Sequence, residues 1–314
     1  MEHAMHHAVT ASAATTVKPR LSADTSGMLL GLVGVAMFSL TLPFTRMAVA
    51  ELDPAFVALG RALVASVFGA IWLLWHRASW PPRSALLPLA LVSLGCVIGF
   101  PWLTSLALRT LPASHGAVLV GILPLATALY SALRGNEQPS AGFWAMALLG
   151  AAIVVAFALR QSGGSFQAAD LLMFGAVALA AVGYAEGGRL AHSMGGQQVI
   201  SWALVLSAPL LAPLVLCLTW THMAALAHAG TRAWIGFAYV SLFSMFIGFF
   251  FWYRGMARGG IARVGQVQLV QPFLTLLGAA LLLGEPLALS NFLFAFAVIA
   301  LVAAGRAMPV RRAS

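Results

Sequence analysis

From Gly27 onward the chain alternates between long apolar runs and short polar linkers, and each run is close to the 20 or so residues needed for one bilayer crossing. Ten runs can be read: Gly27 to Val49, Pro54 to Trp75, Ser84 to Leu108, Pro112 to Leu133, Ser140 to Leu159, Ala168 to Leu190, Gln198 to Trp220, Thr231 to Tyr253, Gly260 to Gly284, and Leu289 to Ala304. Linkers such as Trp80-Pro81-Pro82, Arg134-Gly135-Asn136 and Ser162-Gly163-Gly164 carry turn signals and are too short to hold a folded domain. The period-two alternation of barrel strands is absent, so helices must satisfy the backbone in lipid. The pattern predicts an all-α membrane protein with ten transmembrane helices. Residues 1–26 are small and polar, carry His3, His6 and His7, and lack a basic segment leading into a short apolar one. They are expected to form a disordered cytoplasmic tail rather than a cleaved signal peptide, and residues 309–314 a second tail.

Sliding the sequence by 148 residues lays Pro124 to Ala156 on Pro272 to Ala304 without a gap, with ten of thirty-three positions identical. Ala and Leu supply several matches by chance, so the weight rests on Pro124 with Pro272, Thr127 with Thr275, and Glu137 with Glu285. Each Pro falls within an apolar run, and each Glu is expected to cap the turn that follows. The matched runs are the fourth and ninth, so the repeat unit is five helices, residues 27–160 and then 161–308. An odd unit forces the second copy to enter the membrane upside down, and inverted repeats around a central cavity suit alternating access.

Composition agrees: of 314 residues, 61% are hydrophobic and only 8% charged, with a mean hydropathy of +0.94, too few charges to cover a soluble protein of this size. The net charge of +9 would point to nucleic acid in a soluble chain. Here its distribution gives another account. Twelve Lys and Arg fall on the side holding the N-terminus (Lys18, Arg20, Arg77, Arg83, Arg134, Arg189, Arg254, Arg258, Arg263, Arg306, Arg311, Arg312) against four opposite (Arg46, Arg109, Arg160, Arg232). That bias predicts cytoplasmic N- and C-termini in the cell membrane and no nucleic-acid partner. Cys96 and Cys217 lie in apolar runs without metal-ligand or redox spacing and read as small core residues.

Several motifs resemble the drug/metabolite transporter superfamily, in its ten-helix EamA-type branch. They are Ala107-Leu108-Arg109-Thr110-Leu111-Pro112-Ala113-Ser114, Leu123-Pro124-Leu125 and Glu137, then Ala257-Arg258-Gly259, Gln271-Pro272-Phe273 and Leu283-Gly284-Glu285-Pro286-Leu287, together with Gly60-Arg61-Ala62-Leu63. The resemblance implies two five-helix halves around a central cavity and export of small metabolites, amino acids and aromatic amino acids among them. Arg134-Gly135-Asn136-Glu137 departs from the Gly-Glu usual there.

With so few charges, each buried one stands out. Arg61, within the second run, either snorkels toward Glu51 or Asp53 or faces the cavity and meets a substrate carboxylate. Glu186 either pairs with Arg189 one turn on or serves as a proton-coupling site. Gln268 and Gln271 share a helix face, and with Gln266 replace Val120, Leu123 and Val118 of the first half, which points to a polar cavity wall. Trp102, Tyr184 and Tyr239 have polar tips that need partners within a span, and Ser39 and Ser244 add hydroxyls; all are candidate substrate contacts. Pro124 and Pro272 are candidate hinges. The function expected is alternating-access export of small organic solutes, amino acids first, by uniport or with proton coupling. No cofactor or metal is expected, and the partners expected are the solute and the lipid bilayer, with the protein monomeric. A membrane enzyme would need a dyad or metal cluster that the dispersed histidines do not supply locally, a P-loop for ATP is absent, and a channel remains a separate reading.

Overall fold

The computed structural model describes residues 23–134, 137–161, 167–259, 264–307 and 310–312. The expected N-terminal tail up to residue 22, the start of the ninth run at Gly260, and the side chains of Glu137 and Gln266 lie outside the described part. Among the described residues seven helices are long and apolar enough to cross a membrane: α1 (Thr25–Val49), α2 (Pro54–Trp75), α3 (Arg83–Ala107), α4 (Ala113–Arg134), α6 (Ala168–Met194), α7 (Gly196–Thr221) and α8 (Thr231–Gly259). Three further helices have shorter apolar stretches: α5 (Ala141–Gln161), apolar over Trp144–Arg160, α9 (265–283), apolar over Val267–Leu283, and α10 (Leu289–Ala307), apolar over Leu289–Ala304. Their positions match the ten apolar runs, with α6 and α8 each extending past the expected end.

The sequence sets several of these boundaries. Asp53 caps α2, its carboxylate accepting from Ala55 N at 2.9 Å and Phe56 N at 3.0 Å, with Pro54 in the first turn where its missing N–H costs nothing. Gly284 ends α9 in the left-handed conformation, at φ 70°, that a residue without Cβ adopts freely. Glu285 is a correction. It does not cap the turn that follows it; its two oxygens accept from Ala113 N and Ser114 N, both at 2.8 Å, at the start of α4 in the other half of the chain. The exposed amides at that helix start outcompete a local turn for the carboxylate.

Five of these helices are internally irregular. α1 turns at Leu40, between helical segments Ala23–Ser39 and Thr41–Val49. α4 breaks at Gly121 and Ile122, between Ala113–Val120 and Leu123–Arg134, and α9 begins as a 3-10 turn over Gly265–Val270 before the α-helix at Gln271. In both, a proline, Pro124 or Pro272, sits in the first turn of the second segment, where it needs no N–H. α3 and α8 contain π-helical stretches at Ser93–Gly99 and Val240–Ile247, which the same 148-residue shift superposes to within a residue.

Packing follows small residues. α1 runs against α8, and a Cβ on Gly255 would meet Gly31 N at 2.8 Å; α3 runs against α6, where a Cβ on Gly95 would meet Gly183 N at 2.8 Å. α2 lies along α7, and α5 along α10. A short antiparallel pair, β1 (Glu137–Pro139) with β2 (Val310–Arg312), joins the linker ahead of α5 to the segment after α10 and so brings both to one face.

Candidate functional site

A cavity lies where α1, α2, α3, α4, α6, α8 and α9 converge. Its lining includes Phe38, Thr41, Arg61, Cys96, Phe100, Leu123, Tyr184, Ser244, Phe249 and Gln271. A second space, lined by Val120, Leu123, Pro124, Gln268, Gln271, Pro272 and Thr275, shares Val120, Leu123 and Gln271 with the first. The free space is only about 20 Å³ in the first and 10 Å³ in the second, room for about one water each. A solute therefore enters only when the helices part.

Arg61 sets the chemistry. It is 2% exposed and donates from Nη2 to Ser244 Oγ at 2.8 Å, while Ser244 Oγ also bonds Thr41 Oγ1 at 2.7 Å. Its Nε and Nη1 have no hydrogen-bond partner among the described residues, and neither does the buried Nε2 of Gln268. The guanidinium is buried against Ser244 and does not reach Glu51 or Asp53, which accept instead from Gly230 N at 2.6 Å and from the α2 amides. The π-helical stretch of α8 turns Ser244 inward to the guanidinium, and the matched stretch of α3 turns Cys96 to the same cavity. The site thus offers unspent donors on one side and a wall of rings on the other, with Phe38 and Phe249 centroids 4.9 Å apart and Tyr184 6.0 Å from Phe249.

Two polar ties close the space between α4 and α6, one near each end. At the start of both helices His115 Nε2 lies 2.8 Å from Asp170 Oδ1, and both side chains are buried. Asp170 Oδ2 also accepts from Gln167 N at 3.0 Å. Near the other end Glu186 Oε1 accepts from Tyr130 Oη at 2.8 Å and Arg134 Nε at 3.3 Å, with Arg189 Nη1 at 3.6 Å. Glu186 is 1% exposed while the two arginines are half exposed, so the carboxylate is neutralised from the rim.

Of the residues singled out in the sequence, Arg61, Tyr184, Ser244 and Gln271 meet in the first space, and Gln268, Gln271, Pro124 and Pro272 in the second. Others do not join them. Ser39 Oγ donates to Val35 O at 2.7 Å within its own helix, and Tyr239 Oη to Met37 O at 3.0 Å while its ring stacks on Phe44. Trp102 is 38% exposed and lines neither space, and Glu186 sits in the α4–α6 tie. The apolar pattern does not single out Thr41, Phe38, Phe100 and Phe249 as lining residues, reads Cys96 as plain core, and carries no signal for the His115–Asp170 pair. The repeat shift extended to α3 lays Cys96 on Ser244, and that match is the signal in the sequence that could have pointed to Cys96.

Comparison with known proteins gives this geometry a setting. The EamA-like transporter family matches the chain twice, over residues 25–159 and 167–304, one match for each half. The protein is 46% identical over 286 residues, 91% of this chain and 99% of the relative, to an uncharacterized transporter of Bacillus subtilis (strain 168), YdeK. A solved crystal structure superposes with a TM-score of 0.60 at 20% identity, over 90% of this chain and 95% of the other, a likeness of fold. A multi-pass helical chain with a closed internal cavity, matched twice along its length, is a membrane transporter and belongs to the EamA-like transporter family.

Proposed function

We infer that the protein exports small organic solutes bearing a carboxylate and an apolar body, amino acids including aromatic ones foremost, by alternating access. In this reading ten helices form two inverted five-helix units, residues 27–160 and 161–308, that share the central cavity, with both termini cytoplasmic and the monomer as the working unit. The observation that carries it is Arg61, a buried guanidinium with two unused donors facing a ring-lined space at the junction of the halves. A charged arginine within a membrane span is costly and as a rule faces a pairing partner or a water-filled path, so its unused donors mark a place for a ligand. Equivalent positions of the two halves, Cys96 with Ser244 and Leu123 with Gln271, face the same cavity, which supports a two-fold arrangement and the exchange of conformations it permits.

The ties at the two ends of α4 and α6 suit a cycle in which one parts while the other holds. Glu186 is already engaged by Tyr130, Arg134 and Arg189 away from the cavity, which favours uniport over proton coupling through this residue. The test is counterflow in proteoliposomes: radiolabelled amino acids and related carboxylates should enter vesicles preloaded with the same unlabelled solute, saturably. Uptake linear in concentration, or unitary currents in a planar bilayer, would favour a channel and remove the reading.

A further inference from the structure

We propose that the Arg61 cavity selects solutes of net charge −1, monocarboxylates with an aromatic or branched apolar body, over the zwitterionic amino acid of the same skeleton. This rests on the transport reading above and, within its class of carboxylate-bearing apolar solutes, moves the preference from the amino acids to their deaminated or N-acylated counterparts. The argument is a count of donors, acceptors and charges. Arg61 brings one positive charge into a site where, among the described residues, no Asp or Glu lines either space. The two buried carboxylates are both spent elsewhere, Asp170 on His115 and Gln167 N, Glu186 on Tyr130 and the rim arginines.

A cation buried without a counterion is unfavourable, and a ligand carboxylate removes that penalty while accepting from Nε–H or from Nη1–H, each of which forms a paired face with the neighbouring Nη2–H. The free Nε2 of Gln268 is another donor, so the polar wall asks for acceptors. An α-ammonium brings the opposite need. It would have to leave water for a place beside Arg61 that no protein carboxylate lines and where the hydroxyls of Thr41 and Ser244 are already bonded to each other, which leaves it only neutral acceptors such as Tyr184 and Gln271. Removing or acylating the amino group removes that cost and leaves the carboxylate contact whole. The rings of Phe38, Phe100, Tyr184 and Phe249 then take the rest of the molecule.

The experiment uses three matched sets: 3-phenylpropanoate, phenylalanine and 3-phenylpropanamide; indole-3-propanoate, tryptophan and indole-3-propanamide; 4-methylpentanoate, leucine and 4-methylpentanamide. Binding to the purified full-length protein is measured by calorimetry and uptake by counterflow. In at least one set the monocarboxylate should bind ten-fold or more tighter than both its amino acid and its amide. Arg61→Met should lose that preference and Arg61→Lys retain part of it, both variants being checked for a monodisperse profile and an unchanged melting temperature. If Arg61→Met fails to fold, the wild-type rank order and Arg61→Lys still decide. Amino acids carried saturably and bound as tightly as their deaminated partners overturn the charge selection and leave the transport reading standing. Saturable uptake of the neutral amides alone does the same. No binding and no counterflow across the whole panel overturns both.

Discussion

His115 and Asp170 show how much a buried polar pair constrains a site. Each is sealed from solvent, and each depends on the other for its charge or its hydrogen bond. Removing one partner strands the other, a loss of about 3 to 5 kcal/mol for a buried pair. His115→Leu is therefore expected to lower the melting temperature sharply. Adding Asp170→Asn in that background should recover part of the loss, because an amide still accepts from Gln167 N and leaves no buried charge. Thermal unfolding of the two variants in detergent, side by side, checks this; a double variant no better than the single one would mean the pair contributes little. The pair also marks where a sequence stops being informative. Its members stand 55 positions apart, so a search for histidines one helical turn from a carboxylate passes over it. Arg61, Tyr184, Ser244, Gln268 and Gln271 were legible because a polar group inside an apolar run has nowhere to go but inward. Ser39 obeys the same rule in another way, by bonding back to Val35 O, and only the break at Leu40 explains why Thr41 faces the cavity instead.

At the level of elements, the proposed mechanism rests on the broken helices. α4 and α9 each change course just ahead of a proline, and the breaks touch: a Cβ on Gly121 would lie 3.3 Å from Pro272 Cγ. Two irregular backbones meeting beside the cavity offer a point about which the outer helix segments can swing while the inner ones stay packed. Pro124→Ala and Pro272→Ala are expected to slow counterflow several-fold without lowering the melting temperature, since alanine lets the i to i−4 ladder run on. Wild-type rates in both, with folded protein, would exclude the hinge. The ends of the helices were readable to within a few residues because lipid dictates their length. The breaks were less so: proline flags α4 and α9, but nothing local foretells the π-helical stretches, which arise where α3 and α8 must close on glycine-paired neighbours, α6 and α1.

For the whole molecule, the proposed orientation and the closed cavity make one joint prediction. The pairing of β1 with β2 draws the linker after α4 and the segment after α10 together on one face, and the contact of Glu285 with the start of α4 draws two other linkers together. With the termini cytoplasmic, an impermeant thiol reagent applied to intact cells should label Thr110→Cys in a background lacking Cys96 and Cys217, and should leave Ser314→Cys unlabelled until the cells are opened. The reverse pattern would place both termini outside and overturn the proposed orientation.

The reach of Glu285 across the halves also bears on how the chain is made. The carboxylate that holds Ala113 N follows it by 172 residues, so α4 emerges from the ribosome and enters the bilayer long before its cap has been synthesised. Until then its first amides must rely on water or lipid headgroups, and the early half waits as an unfinished intermediate exposed to membrane proteases. The contact can form only after the last linker has been translated, which ties completion of the first half to completion of the second.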